Sequence, residues 1–160
     1  HRGGYVPDVV KVGVPGSVLL KAGRLSATEF ALMKRHTEIG ETLCAPLQSL
    51  RHVRPIIRSH HERLDGSGYP DGLRGDQVPL LAQIVGIVDV YDALTSERPY
   101  RPPLTPDAAV RHLLIEVEQE RFSKTLVTAF LDTVDKAQDV ITHPGCAFRG
   151  AGRGGAYRPK

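Results

Sequence analysis

Apolar residues first fall into a helical register after Ser26. Phe30, Met33, Leu43 and Leu47 recur at roughly helical spacing. Ser26 followed by Glu29 is a capping box, since each side chain can satisfy a backbone N–H that the first turn leaves open. The pattern predicts a helix from Ser26 to about Cys44. Upstream, "KVGVPGSVLLKAGRL" (11–25) sets Gly and Pro at short intervals and reads as an irregular connection. A second helix is predicted over about Leu50 to Arg63, with Val53, Ile56 and Ile57 as its apolar side. From Asp65 to Pro79 glycine and proline are too frequent for any regular element. "LLAQIVGIVDVYDAL" then runs apolar almost all the way round, and its length and lack of alternation favour a buried central helix over a strand. Thr105-Pro106-Asp107 supplies the cap, first-turn proline and early acid of another helix. Ser123 caps a last helix to about Val140. With no β-alternation and no internal repeat, the expected fold class is all-α.

Composition adds bounds to that picture. Of 160 residues, 41% are hydrophobic, enough for one compact domain with a core, and the absence of tryptophan leaves aliphatic side chains to fill most of it. No run approaches the ~20 apolar residues of a membrane span, and no secretory signal opens the chain, so no membrane partner is expected. The chain begins with His1, which reads as an excised fragment. Cys44 and Cys146 form no disulfide framework and point to a reducing, cytoplasmic setting. The net charge of +3 is local: Arg149, Arg153, Arg158 and Lys160 hold four of the 21 basic residues, leaving 17 against 18 acidic ones. The Gly/Arg-rich segment 143–160 lacks periodicity and reads as a disordered tail after a domain spanning 1–142. A nucleic acid is not the expected partner of a body so close to neutral.

The chemistry begins at Asp89. A carboxylate within "IVGIVDVYDAL" is expected to be buried, and burying an unpaired charge costs several kcal/mol, so it needs a cation or hydrogen-bonding partners. Asp92 shares its face. A helix cap or a salt bridge to arginine would meet that need, and so would a metal. His60 and His61 favour the metal, because imidazole with a carboxylate is a common ligand set for transition metals. His36 follows Met33 by three residues and shares the apolar face, where a satisfied boundary histidine is the competing role. Three histidines and an aspartate from three helices suit a bundle-core metal site, although spacing alone leaves their convergence open. There is no HExxH and no CxxC, so zinc-protease and zinc-ribbon readings fail.

"HHERLDGSGYPDGLRG" (60–75) followed by "VPLLAQIVGIVDVYDALTSERPYR" closely resembles the HD-GYP family of cyclic di-GMP phosphodiesterases, and "KVGVPGSVLLKAGRLSATEFALMKRHTEIG" is similar to the segment that precedes this signature. The resemblance covers about residues 6 to 131. It implies an HD-superfamily helical bundle with a glycine-rich GYP loop, and metal-assisted hydrolysis of cyclic di-GMP to linear diguanylate or GMP in bacterial signalling. The metal ligands it implies are Asp8, His36, His60, His61 and Asp89, holding one to two ions of iron or manganese. Lys11 matches the family's lysine near the reacting phosphate. Gly68, Tyr69 and Pro70 form the loop beside the substrate, and Arg98 and Arg101 match its phosphate- or guanine-holding positions. Glu62 and Asp65 fit supporting roles in the loop better than ligand roles. A signalling partner or an N-terminal sensor domain is also implied. Such a ligand set suits the reaction, because paired metals generate hydroxide at neutral pH and clamp the attacking and leaving oxygens in line.

The namesake pair departs from the family pattern. "VPDVVKVGVP" (6–15) has Pro7 where the family has histidine and Val10 where it has glycine, while Asp8 and Lys11 remain. The five ligands furnish one metal well and a second thinly. Three readings follow: an active cyclic di-GMP phosphodiesterase, a degenerate domain that binds cyclic di-GMP or a protein without efficient hydrolysis, and an HD-type hydrolase of another nucleotide.

Overall fold

The Gly/Pro-spaced lead-in is not wholly irregular. It contains one helical turn, α1 (Gly16–Leu19), which buries Val18, and Val14 just upstream is buried as well. In the computed structural model, residues 13–21, 23–97 and 102–142 are described, the last six by backbone alone. The capping box forms as expected: Ser26 Oγ accepts the Glu29 N–H at 3.3 Å, and the Glu29 carboxylate accepts the Ser26 N–H at 2.7 Å.

The helix so begun does not reach Cys44 unbroken. It divides at Arg35 into α2 (Ala27–Lys34) and α3 (His36–Cys44). Side chains compete for the carbonyls at the junction: His36 Nδ1 takes Met33 O at 2.7 Å and Thr37 Oγ1 takes Lys34 O at 3.1 Å. The second predicted helix is also shorter. A 3₁₀ turn (Gln48–Leu50) precedes α4 (Arg54–Ser59), because Pro55 lacks an N–H and is tolerated only in a helix's first turn. Beyond the loop lie α5 (Leu80–Thr95), α6 (Pro106–Glu118) and α7 (Lys124–Thr142). Thr105 Oγ1 caps α6 through the Ala108 N–H at 3.3 Å, and Ser123 Oγ accepts the Leu126 N–H at 3.4 Å. Among the described residues there is no strand, only an isolated antiparallel bridge between Asp65 and Arg74.

Successive helices pack on one another from α1 to α6. The core gathers Val78, Ala82, Ile87, Ala109, Leu113 and Phe122. Two expectations about it need correcting. Phe30, Leu43 and Leu47 lie at the surface, 46–55% exposed. α5 is not buried all round either. Its inner face is Ala82, Gly86, Ile87 and Leu94, while Leu80, Leu81, Ile84, Val85 and Val88 stay exposed. A pattern apolar on every side names no inner face; the close approach of α4 selects the side carrying the small residues.

The chain divides into two compact units, His1–Val127 and Thr128–Lys160. α7 begins in the first. In the second, Thr133 Oγ1 donates to Ala129 O at 2.9 Å within the same helix. The expected tail, 143–160, lies outside the described residues.

Candidate metal centre

Adjacent side chains on a helix diverge by about 100°, yet His60 and His61 stand together. The reason is that α4 ends at Ser59, and both histidines lie in the turn that leaves it, with the Glu62 N–H bonded to Ser59 O at 3.0 Å. Their ring centroids are 4.1 Å apart. His36, at the start of α3, completes the cluster at 5.5 Å from His60 and 5.0 Å from His61. One ligand nitrogen from each of the three lies within 4.8 Å of the others. His36 is 5% exposed.

Two of the rings are already set as ligands. Nδ1 of His36 bonds to Met33 O, and Nδ1 of His60 bonds to Ile57 O at 2.8 Å. A carbonyl can only accept, so each Nδ1 carries a proton, which makes Nε2 the ligand atom of the neutral ring, the usual arrangement around a metal-binding imidazole. Burial holds the His60 imidazole below its ordinary pKa, and neighbouring His36 adds to this; the Ile57 carbonyl and Asp89 oppose it. The donor set therefore fits a divalent transition metal.

Asp89 reaches this centre because of Gly86, one turn earlier on α5. A Cβ on Gly86 would lie 2.5 Å from the carbonyl oxygen of His60, so only glycine allows α5 this close to the histidine turn. Asp89 is half-buried and acts electrostatically on His60 and Tyr69, but its carboxylate is not within the tight three-histidine group. Asp92 is exposed and accepts the Ser96 hydroxyl at 3.1 Å instead.

The glycine-rich loop folds back over the histidines. Tyr69 stacks on His61, with centroids 4.8 Å apart and rings inclined by 30°, and its N–H bonds to His61 O at 3.3 Å. Burial pushes its phenol up from the ordinary value, so the ring is neutral. Gly68 is obligatory here, since a Cβ would meet the Glu62 and Arg63 backbone at 2.4 Å. Glu62 is buried, and its carboxylate accepts the N–H groups of Asp71, Gly72 and Leu73 at 2.7, 3.1 and 3.0 Å. Asp65 makes a turn of its own, accepting the Ser67 N–H and hydroxyl at 2.8 and 2.6 Å. Glu62 and Asp65 thus hold the loop. Arg58 adds a two-pronged pair with Asp71 at 2.7 and 2.8 Å and a bond to Glu41 on α3 at 2.8 Å.

This last network carries a pH dependence. The Arg58 hydrogen bonds hold the Asp71 carboxyl below its usual range. A depressed carboxylate stabilises the fold fully above its unfolded pKa of about 3.9 and loses that contribution as pH falls through the lower folded value. The thermal midpoint of wild type should therefore exceed that of Asp71→Asn at pH 6, and the gap should narrow as pH falls below the unfolded value of about 3.9. A gap that does not narrow on acidification would rule the pair out as its source.

Of the expected site residues, then, His36, His60, His61, Gly68, Tyr69 and Pro70 come together with Asp89 nearby. Asp8, Lys11, Arg98 and Arg101, and with them Pro7, lie outside the described residues. Gly86 and the Arg58–Asp71–Glu41 network escaped sequence reasoning. A glycine in an otherwise bulky apolar helix was the available signal for the first.

The HD domain family matches residues 4–126. The chain is 50% identical over 109 residues to the cyclic di-GMP phosphodiesterase response regulator RpfG of Xanthomonas campestris pv. campestris, covering 66% of this chain and 29% of that protein. It is 41% identical to the 3'3'-cGAMP-specific phosphodiesterase 2 of Vibrio cholerae, over 81% of this chain and 25% of that protein. The HDG"Y"P protein Bd1817 of Bdellovibrio bacteriovorus has the same helical fold, with a TM-score of 0.62 at 22% identity over 80% of this chain and 40% of that one. The chain belongs to the HD domain family, in its HD-GYP branch. An HD domain binds divalent metal, in keeping with the histidine cluster. The chain spans less than a third of the length of the curated relatives named here. Among the described residues no helix is long and apolar enough to cross a membrane.

Proposed function

We propose that this chain is a metal-dependent phosphodiesterase domain that hydrolyses cyclic di-GMP to linear diguanylate and GMP. The observation that carries this reading is the convergence of His36, His60 and His61 beneath Tyr69. The three imidazoles and Asp89 hold divalent iron or manganese, one or two ions, with Asp8 as the ligand from the N-terminal segment. When bound, the metal supplies the Lewis acidity and water activation that phosphodiester hydrolysis needs. The Met33 and Ile57 carbonyls hold the rings of His36 and His60 in place through their Nδ1 atoms. Gly68, Tyr69 and Pro70 close one side against bulk water, and the neutral Tyr69 ring offers an apolar surface to the nucleotide. Lys11, Arg98 and Arg101 neutralise phosphate oxygens. The setting is cytoplasmic, and a sensor domain or signalling protein governs the output.

Pro7, in place of the namesake histidine, favours a second reading in which the domain binds the cyclic dinucleotide without efficient turnover. One experiment separates the two. Protein loaded with manganese or iron is assayed for metal content and for hydrolysis of cyclic di-GMP, with 3'3'-cGAMP in parallel. The phosphodiesterase reading expects turnover by wild type and a loss of at least about 100-fold, with loss of bound metal, in His60→Ala. Turnover absent in wild type and gained in Pro7→His would establish the degenerate reading. Turnover of 3'3'-cGAMP alone would transfer the activity to another nucleotide.

A further inference from the structure

The last turn of α2 faces the aromatic side of the centre. Phe30 and Lys34, four residues apart, share one face of the helix. The Phe30 ring is 46% exposed and meets Tyr69 edge-on, with centroids 6.3 Å apart and planes at 78°. Lys34 Nζ lies 4.8 Å from the Phe30 centroid and 5.3 Å from that of Tyr69. Tyr69 in turn stacks on His61. A phenyl face and an ammonium therefore stand one ring beyond the histidine cluster.

The pairing of nearby cations sets Lys34 apart. Lys21 is bonded to Glu29, Arg54 and Arg58 to Glu41, and Arg121 to Asp65 and Glu116. Lys34 has no carboxylate partner among the described residues; two ring faces hold its charge instead. Cation–π attraction at a partly exposed site is weak, and a phosphate oxygen forms a stronger, charge-assisted bond with the same ammonium. Lys34 is thus held in place yet available to an anion.

A cyclic dinucleotide carries two phosphates and two bases. With one phosphate at the histidines, the other and a base can occupy the side beyond Tyr69, where Phe30 and Lys34 stand. We propose that Phe30 and Lys34 form a second recognition edge for the cyclic dinucleotide, in which Lys34 binds the phosphate that is not cleaved and a base stacks on Phe30. This rests on the phosphodiesterase reading for its ligand. It assigns α2 a part in substrate binding that the GYP loop, Arg98 and Arg101 do not cover. Stacking on a phenyl ring accepts either purine, so this edge contributes affinity and leaves discrimination between guanine and adenine to other residues.

The test uses the metal-loaded full chain and two substrates. Cyclic di-GMP spans both phosphate positions, whereas bis(p-nitrophenyl) phosphate has one phosphate and occupies only the metal. Lys34→Met and Phe30→Ala should each raise KM for cyclic di-GMP roughly tenfold while leaving kcat and the turnover of bis(p-nitrophenyl) phosphate unchanged. Kd for the slowly cleaved bisphosphorothioate analogue should rise with KM. Lys34→Arg and Phe30→Trp should stay close to wild type. Equal losses on both substrates would mean that the pair merely supports Tyr69 and the histidines, and would overturn the proposal, as would an unchanged KM and Kd. If wild type binds the analogue but does not turn over cyclic di-GMP, the phosphodiesterase reading falls while the Kd ratios still decide the edge. If wild type does not bind the analogue, both fall.

Discussion

Glu62→Ala is expected to detach the segment from Asp71 to Leu73 and to lower stability by about 3 kcal/mol, with a larger proportional loss of metal-dependent activity. The estimate starts from the three backbone N–H groups that the buried carboxylate accepts. Hydrogen bonds to a charged group contribute about 1.5–3 kcal/mol each, but donors released near the surface recover part of this from water, so the sum overstates the effect. Alanine leaves the three donors without a partner and opens a cavity beside Gly68. Tyr69 is only two residues before the first of those donors, so the ring that stacks on His61 loses its anchor as well. Glu62→Gln preserves one acceptor oxygen and should cost about half as much. Urea denaturation reads the stability, and tyrosine fluorescence, in a chain without tryptophan, follows the loop. Glu62→Ala within about 0.5 kcal/mol of wild type, with unaltered fluorescence, would show that the loop holds itself.

Parts of this architecture are readable in the sequence. Capping chemistry is local, so Ser26 with Glu29, Thr105 with Pro106 and Ser123 were all legible, and with them most helix starts. Helix ends were less so. The break at Arg35 depends on His36 and Thr37 turning to carbonyls of the previous turn, a choice among hydrogen bonds that spacing does not encode. The histidine cluster was legible in membership but not in mechanism. His60 and His61 converge because the helix has stopped, whereas a helix continuing to Arg63 would have splayed them. The inner face of α5 was not legible from hydrophobicity, since Leu81, Val85 and Val88 are as apolar as the residues that are buried. What orients that helix is steric: one absent side chain, at Gly86.

Gly86→Ala puts two magnitudes in opposition, and the expected outcome depends on which is larger. In an exposed helix, alanine in place of glycine would stabilise by about 1 kcal/mol through backbone entropy and helix propensity. Here the new methyl would sit 2.5 Å from the His60 carbonyl oxygen, and the obstacle is backbone, not the end of a flexible side chain. Restoring ordinary contact requires α5 to retreat by roughly 1 Å, and overpacking of this kind costs about 1–3 kcal/mol. The net effect on stability is therefore small, a loss of about 1 kcal/mol at the midpoint of the overpacking range. Function is affected more strongly. Retreat of α5 carries Asp89 away from the histidines, and it strips His60 of the packing that fixes its carbonyl and ring. Displacements of this size in the support of a metal ligand typically reduce affinity or activity 10–100-fold, and that is the expected loss in metal binding by Gly86→Ala. Val85→Ala, one residue away on the exposed side, should leave metal affinity within about twofold of wild type. The pair of variants thus separates the close approach at Gly86 from general weakening of α5. If Gly86→Ala were more stable than wild type and bound metal equally well, helix propensity would have prevailed, and the contact between α5 and the histidine turn would not be what assembles this centre.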